Sequence, residues 1–533
     1  MTEPRLAVSA PGVQNGLGVR RFALFLGLIV AAALPCGAQP AAPALRDVLA
    51  GYLRESEPGA KAIDRLETSG SIAGAALSGS FHTWEDGDRS RDDATLGPRN
   101  ETTLRLGGRV YYVNADGNVR EFTGVMLRRD RTQRFIDSGD FARAPERCVL
   151  RGRTTVGGRP AYSVDVTAPS GETETVYLDV ESFLPVRIGY DDDDGRTTVD
   201  FSDWRLVAGH RFPFRAIVSN GDRAFDIDQH TEYIAVDEPI DPSIFRQPAQ
   251  RSIDIAGPQM LPLTESGGHL YADVTIAGKS YRFLIDSGAQ NILIDEHVAK
   301  EAGLPAVGAL EASGAQRTGG LQLARLDALQ IGSGTMRDLV VTVLDLGRST
   351  GGVFRIDGIL GYPFFAEAEV TIDAAKSTML FGRSGSFVPQ GEKVAIETDR
   401  AFPEARFRLN GSVEAPFIVD TGNAGEVLLY KPFVDRHPGI VPPSVTSRRQ
   451  SFGIGGAANS YASSLDRLEF AGFTLYHADA SVMLASQGAF ADRIDAGNVG
   501  LGVLRNFVVT FDESQKALYI ERGSQFDDGH SRL

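Results

Sequence analysis

The chain has 533 residues, 42% of them hydrophobic and 23% charged, with 59 glycines and 26 prolines. This is a globular mixture with material for several cores, and it excludes a disordered or fibrous chain. A formal net charge of −15 leaves no basic footprint for a phosphate backbone, so no nucleic-acid partner is expected.

At the start of the chain, Arg20 and Arg21 precede an apolar run over 22–33 that is too short to span a bilayer comfortably, followed by the small residues Cys36-Gly-Ala38. Residues 1–38 therefore read as a signal peptide cleaved near Ala38, which places the protein in the periplasm or outside the cell. Leu34-Pro35 fits a lipoprotein box badly. Cleavage leaves Cys148 alone, so no intrachain disulfide is expected.

The spacing of Leu45, Val48, Leu49, Tyr52 and Leu53 predicts a helix from about 45 to 66. Short alternating runs follow at 103–106, 110–113, 161–166, 175–178, 185–188, 197–201 and 212–214, split by turn residues, and they predict a largely antiparallel sheet. A charged, proline-containing stretch ends the pattern and sets a boundary near 248. Over 39–248 the strand cadence, with Tyr177-Leu-Asp, Leu184-Pro-Val-Arg-Ile, Val199-Asp-Phe-Ser-Asp-Trp204 and Phe212-Pro-Phe, resembles the open half-barrel of periplasmic lipoprotein carriers. The resemblance implies a curved antiparallel sheet wrapping a helix over an apolar cavity, with a lipid or lipoprotein ligand. A β-rich accessory domain without such a ligand is the plain alternative.

The second half repeats itself. An apolar strand leads into Asp286-Ser287-Gly288 and another apolar strand; 134 residues later, an apolar strand leads into Asp420-Thr421-Gly422 and an apolar strand again. Downstream, Gly358-Ile-Leu-Gly361 in the first copy is matched with Val499-Gly-Leu-Gly502 in the second. The predicted units are a first lobe over 262–381, a linker over 382–403 and a second lobe over 404–522. A third triplet, Asp137-Ser138-Gly139, has polar residues before it and no partner element, and reads as a turn.

Two Asp-hydroxyl-Gly motifs flanked by apolar strands, each with an apolar-Gly element downstream, resemble the aspartic peptidases; single lobes look retroviral-type, and two lobes in one chain match the pepsin arrangement. The resemblance implies a mainly β fold with a two-lobed β-barrel domain, preceded here by the half-barrel-like β domain with its helix. It implies that Asp286 and Asp420 form the catalytic pair, positioned by Ser287, Gly288, Thr421 and Gly422, with the two hydroxyls hydrogen-bonded across the lobe junction. The chemistry requires two such residues: one carboxylate takes a proton from water while one carboxylic acid polarises the peptide carbonyl. Mobile flaps are expected around Gly319 and Gly320 in the first lobe and Gly455 and Gly456 in the second. Both lobes on one chain allow a monomer to form the pair.

The expected partner is a peptide or protein substrate, and no metal or other cofactor is expected. The histidines, His82, His297 and His437 among them, lie at no metal spacing, and the acidic run 191–194 reads as a hairpin rather than a calcium loop. Asn423 departs from the small or hydroxyl residue the family carries after the Gly, which bears on the positioning of Asp420. The competing reading is a non-catalytic module that binds peptide or lipoprotein on a degenerate form of the same fold.

Overall fold

A computed structural model describes residues 43–58, 62–192, 195–313, 317–349, 356–442, 448–454, 456–485 and 488–529. The predicted signal peptide and Gly455 lie outside these. The fold is mainly β, as the sequence pattern predicts.

The N-terminal region is one antiparallel sheet of thirteen strands. Its first strand, Arg65–Gly74, pairs with its last, Ile227–Val236, in the middle of the sheet. From that pair one series runs outward to the edge strand Val119–Glu121 and the other to the edge strand Cys148–Val156. Helix Val125–Asp137 carries the chain from one edge to the other. Together with helix Leu45–Ser56 it supplies Val48, Leu49, Tyr52 and Ile136 to a core shared with Val164, Val176, Leu178 and Ile188 of the sheet. The opening helix stops ten residues earlier than its periodicity suggests, because Glu57 precedes Pro58 and a residue before proline is pushed out of the helical region. Asp137, read as a turn residue, is the last residue of a helix, and the chain turns just after it with Gly139 at φ 74°.

The second half contains two sheets with one strand order. In the first lobe the strands run His269–Ile276, Lys279–Ile285, Gly358–Leu360, Leu293–Asp295, Gly334–Leu344, Arg317–Ile331 and Val307–Ser313, with Thr264–Ser266 added at the edge. In the second lobe Glu404–Leu409, Val413–Val419, Gly497–Val499, Val427–Leu429, Phe473–Met483, Gly456–Phe470 and Arg448–Gly453 follow the same order. A six-stranded sheet joins the lobes, with Glu369–Asp373 paired to Phe507–Asp512 at its centre. The stretch 382–403, expected as a linker, is built into this sheet through Glu392–Ala395, which pairs with Ala517–Arg522.

The register corrects the sequence match of the downstream elements. Ile285 lies opposite Leu360, and Val419 lies opposite Val499. Gly361 therefore corresponds to Gly500, two residues before the glycine chosen from the sequence, and Ile359 corresponds to Asn498.

The thirteen-stranded sheet packs directly on the first lobe. Ile72, Leu77, Phe81 and Leu96 share a buried apolar cluster with Leu284, Leu310, Leu321 and Ile359. The Ala309 N–H donates to the Ala75 carbonyl at 2.8 Å, and the Val340 N–H donates to Asp116 Oδ1 at 2.6 Å. Asp399 Oδ2 accepts from the N–H groups of Gly124 and Met126 at the start of helix Val125–Asp137, at 2.9 and 3.2 Å.

Candidate active site at the junction of the two lobes

Each motif aspartate follows a buried strand and turns back at once. Strand Lys279–Ile285 ends on Phe283, Leu284 and Ile285, and strand Val413–Val419 on Phe417, Ile418 and Val419, all buried. The backbone N–H of Asp286 is held by the Leu360 carbonyl at 3.1 Å, and that of Asp420 by the Val499 carbonyl at 2.9 Å. The downstream strands therefore fix where both carboxyls stand.

The two motif loops are locked together by reciprocal hydrogen bonds. The Ser287 N–H donates to Thr421 Oγ1 at 2.9 Å and the Thr421 N–H donates to Ser287 Oγ at 3.0 Å. The Ser287 hydroxyl donates to the Val419 carbonyl at 2.6 Å, and the Thr421 hydroxyl donates to the Ile285 carbonyl at 3.0 Å. Both hydroxyls thus act as donor and acceptor, and four buried backbone groups are satisfied.

Gly288 and Gly422 face the opposite aspartates. A Cβ on Gly288 would stand 2.7 Å from Asp420 Oδ1, and one on Gly422 would overlap the Asp286 carboxyl. Only glycine permits the two acids to approach in this way. Asp286 and Asp420 are fully buried, and each accepts from the N–H of its own motif glycine at 2.9 Å.

Their electrostatics differ. Burial raises the pKa of Asp286 well above the ordinary carboxyl range; the adjacent Asp420 charge and a hydrogen bond between the two carboxyls raise it further. Burial also raises Asp420, but there the same hydrogen bond acts in the opposite direction, as do the Gly422 and Asn423 N–H groups. The pair is arranged to keep one proton, held towards Asp286.

Asn498, which no sequence motif marks, adds a side-chain donor to Asp420. Its Nδ2 donates to Asp420 Oδ2 at 2.7 Å, while its Oδ1 accepts from Asn423 Nδ2 at 2.8 Å. The first lobe has Ile359 at the matching position, and Asp286 Oδ2 meets no N–H or O–H donor among the described residues. Asn423 therefore works through Asn498 and through its own N–H, which reaches Asp420 Oδ1 at 3.2 Å. The available signal was a polar residue inside an otherwise apolar strand, hidden by the two-residue mismatch. His269, fully buried and interacting with the Gly422 backbone, was also passed over; burial lowers its pKa to about 4, so it stays neutral beside the pair.

The expected flaps are hairpins. Val307–Ser313 pairs with Arg317–Ile331, Gly319 lying opposite Glu311, and Gly320 has φ 83°. Arg448–Gly453 pairs with Gly456–Phe470, and Gly456 has φ 110°. Ile454, next to the second tip, is fully buried in the cluster shared by the first lobe and the N-terminal sheet.

Arg400 lies beside this centre. Its buried guanidinium pairs with Glu404, Asp492 and Asp495, with Asp492 at 2.7 Å, and its carbonyl accepts from Gln290 Nε2 at 2.7 Å. Among the described residues, Glu397, Asp399 and Glu404 are close enough to bracket a cation, but Asp399 already accepts from the start of a helix and Glu404 from Arg400. Cys148 is buried, with its thiol pKa pushed up to about 11 by burial, and no nucleophile is formed there.

Residues 272–364 match the family model described as aspartyl protease. This aspartyl protease-like region contains Asp286 and the Gly358–Gly361 element; the second motif lies beyond it. No curated protein matches the chain. Solved structures similar to part of it include a DUF1329 family protein from Desulfovibrio piger, at 15% identity over 38% of this chain and 95% of that one, with TM-score 0.27. A putative outer membrane lipoprotein-sorting protein domain from Vibrio parahaemolyticus has 12% identity over 38% and 95%, with TM-score 0.27. A LolA superfamily protein from Nitrosomonas europaea has 14% identity over 39% and 99%, with TM-score 0.28.

Proposed function

We propose that the protein is an aspartic endopeptidase, exported to the periplasm or beyond, that hydrolyses peptide bonds with Asp286 and Asp420 as its catalytic pair. The observation that carries this reading is the pair of buried carboxyls packed against each other's motif glycine, with their loops locked through Ser287 and Thr421. Asp420, whose carboxylate accepts from Asn498 and from two N–H groups, takes a proton from water as its oxygen attacks the carbonyl carbon. Asp286 gives its proton to the carbonyl oxygen, producing a tetrahedral diol. Collapse moves the Asp420 proton to the departing amide nitrogen and returns a hydroxyl proton to Asp286, so the pair ends with the one proton it began with. The flaps, with Gly320 and Gly456 near their tips, cover an extended substrate.

Replacing either acid by asparagine removes acid–base work of about 10²–10⁴-fold in rate. Asp286→Asn and Asp420→Asn should each abolish cleavage in a peptide-library digest scanned across pH. Cleavage surviving in both variants would reject the assignment. Peptide binding with no cleavage by the wild type would instead identify a non-catalytic module on the same fold.

A further inference from the structure

A cavity of about 1690 Å³ is neither confined to the N-terminal sheet nor confined to the lobes. Ala94 and Ala216 of the sheet border it, and so do Gly288 and Ile418, one from each motif strand–loop. Gly288 is the residue packed against the Asp420 carboxyl. A chain leaving the acid pair on the Gly288 side therefore has an open path into the hollow of the sheet. The volume exceeds the roughly 300–1,000 Å³ of pockets for small ligands.

The wall is mixed rather than the apolar surface throughout that the carrier resemblance implies. Arg105 lies between Asp92 and Asp130, and Arg129 pairs with Asp192 at 3.2 Å, all bordering the cavity beside Phe81 and Val218. Glu85 also borders it, its pKa raised by burial and by the nearby Asp92 charge. A hydrocarbon filling this space would strip water from those charges and return no hydrogen bond. A polypeptide brings an N–H and a C=O at each residue together with apolar side chains, and so suits both parts of the wall.

We propose that this chamber is the extended substrate site of the peptidase, holding the stretch of polypeptide that flanks the scissile bond on the Gly288 side. The assignment rests on the peptidase reading and adds to it a substrate class: long unfolded segments rather than short peptides. The wall of the first flap belongs to the same site, since Leu310 and Glu311 border the cavity and the adjacent Ala309 is bonded to the sheet.

The test uses the full chain carrying both Asp286→Asn and Asp420→Asn, so that binding is read without turnover. Fluorescein-labelled fragments of an unfolded casein serve as probes, one short enough to fill only the cleft and others progressively longer, with affinities from anisotropy. The long fragments should bind at least about tenfold more tightly, or about 1.4 kcal/mol. Ala216→Trp, which fills the hollow, should remove most of that ratio. Ala94→Leu, a smaller intrusion, should remove part of it, and circular dichroism with an unfolding midpoint shows whether each variant is folded. Affinity independent of length, an equal loss for short and long fragments in a folded variant, or a gain seen only when the peptide bears an acyl chain would each overturn the proposal. If the wild type cleaves nothing while the length-dependent binding persists, the peptidase reading fails and with it the substrate role, and the chamber is left as a binding site for long unfolded polypeptide.

Discussion

Asn498 makes the surroundings of two chemically identical acids unequal. Its amide meets Asp420 Oδ2, and its counterpart in the first lobe is Ile359. A hydrogen bond to a charged group is worth about 1.5–3 kcal/mol, so Asn498→Leu should lower kcat by roughly 10–150-fold. Loss of a donor to the ionised form raises the pKa of that form, so the acidic limb of the pH–rate profile should move to higher pH. A variant with reduced kcat and an unmoved acidic limb would show that Asn498 only fills space. The two aspartates and their motif residues were legible in the sequence because the whole pattern occurs twice. Asn498 was not, since only strand register, which depends on pairing partners far apart in the chain, identifies it as the residue facing Asp420.

The loops carrying the acids belong to separate sheets and are tied by two hydroxyls. Ser287→Ala removes the acceptor of the Thr421 N–H and the donor to the Val419 carbonyl, leaving two buried groups unpaired. Each orphaned group costs about 1–3 kcal/mol, and Thr421→Val acts in the same way on the other side. Both variants should lower the urea midpoint, and the double variant should lose less than the sum, because the first loss already loosens the junction that the other hydroxyl's bonds hold. Additive losses would mean that the loops are held independently. Among the elements, the strands with clean alternation, such as Arg159–Thr167 and Thr173–Asp179, follow their sequence pattern. Leu77–Asp86 and Arg89–Leu96 do not announce themselves, because Asp92 and Glu85 face a polar hollow, and period-two alternation of apolar and polar residues is lost when both faces are mixed. Helix Val125–Asp137 is similarly obscured: it carries four arginines and two aspartates, several of which meet the cavity or its ion pairs.

At the scale of the molecule, the contact between the N-terminal sheet and the first lobe is sensitive to protons. Burial raises Asp116 to about 6 and Glu367 to about 7, and Asn118 Nδ2 reaches Glu367 Oε1 at 3.5 Å. A carboxyl whose folded pKa lies above its unfolded value near 4 gives the folded state more protons between the two. Its stabilising contribution is complete below the unfolded pKa and is lost as pH rises through about 6 to 7. His269, lowered to about 4, acts in the opposite direction over part of the same range, its contribution being lost as pH falls from about 6.5. Glu367→Gln isolates the carboxyl term: from about pH 4 to about pH 7 the wild type should lose stability relative to the variant. Parallel curves of unfolding midpoint against pH would contradict this assignment.

The bond from Ala309 to Ala75 makes the first flap strand a shared part of both halves of the protein. If the hairpin acts as the lid proposed above, it does not swing freely, because each opening stroke pulls on a turn of the thirteen-stranded sheet. What fills the hollow of that sheet thereby gains mechanical leverage over access to the acids, and lobes severed from it would open and close on a different clock.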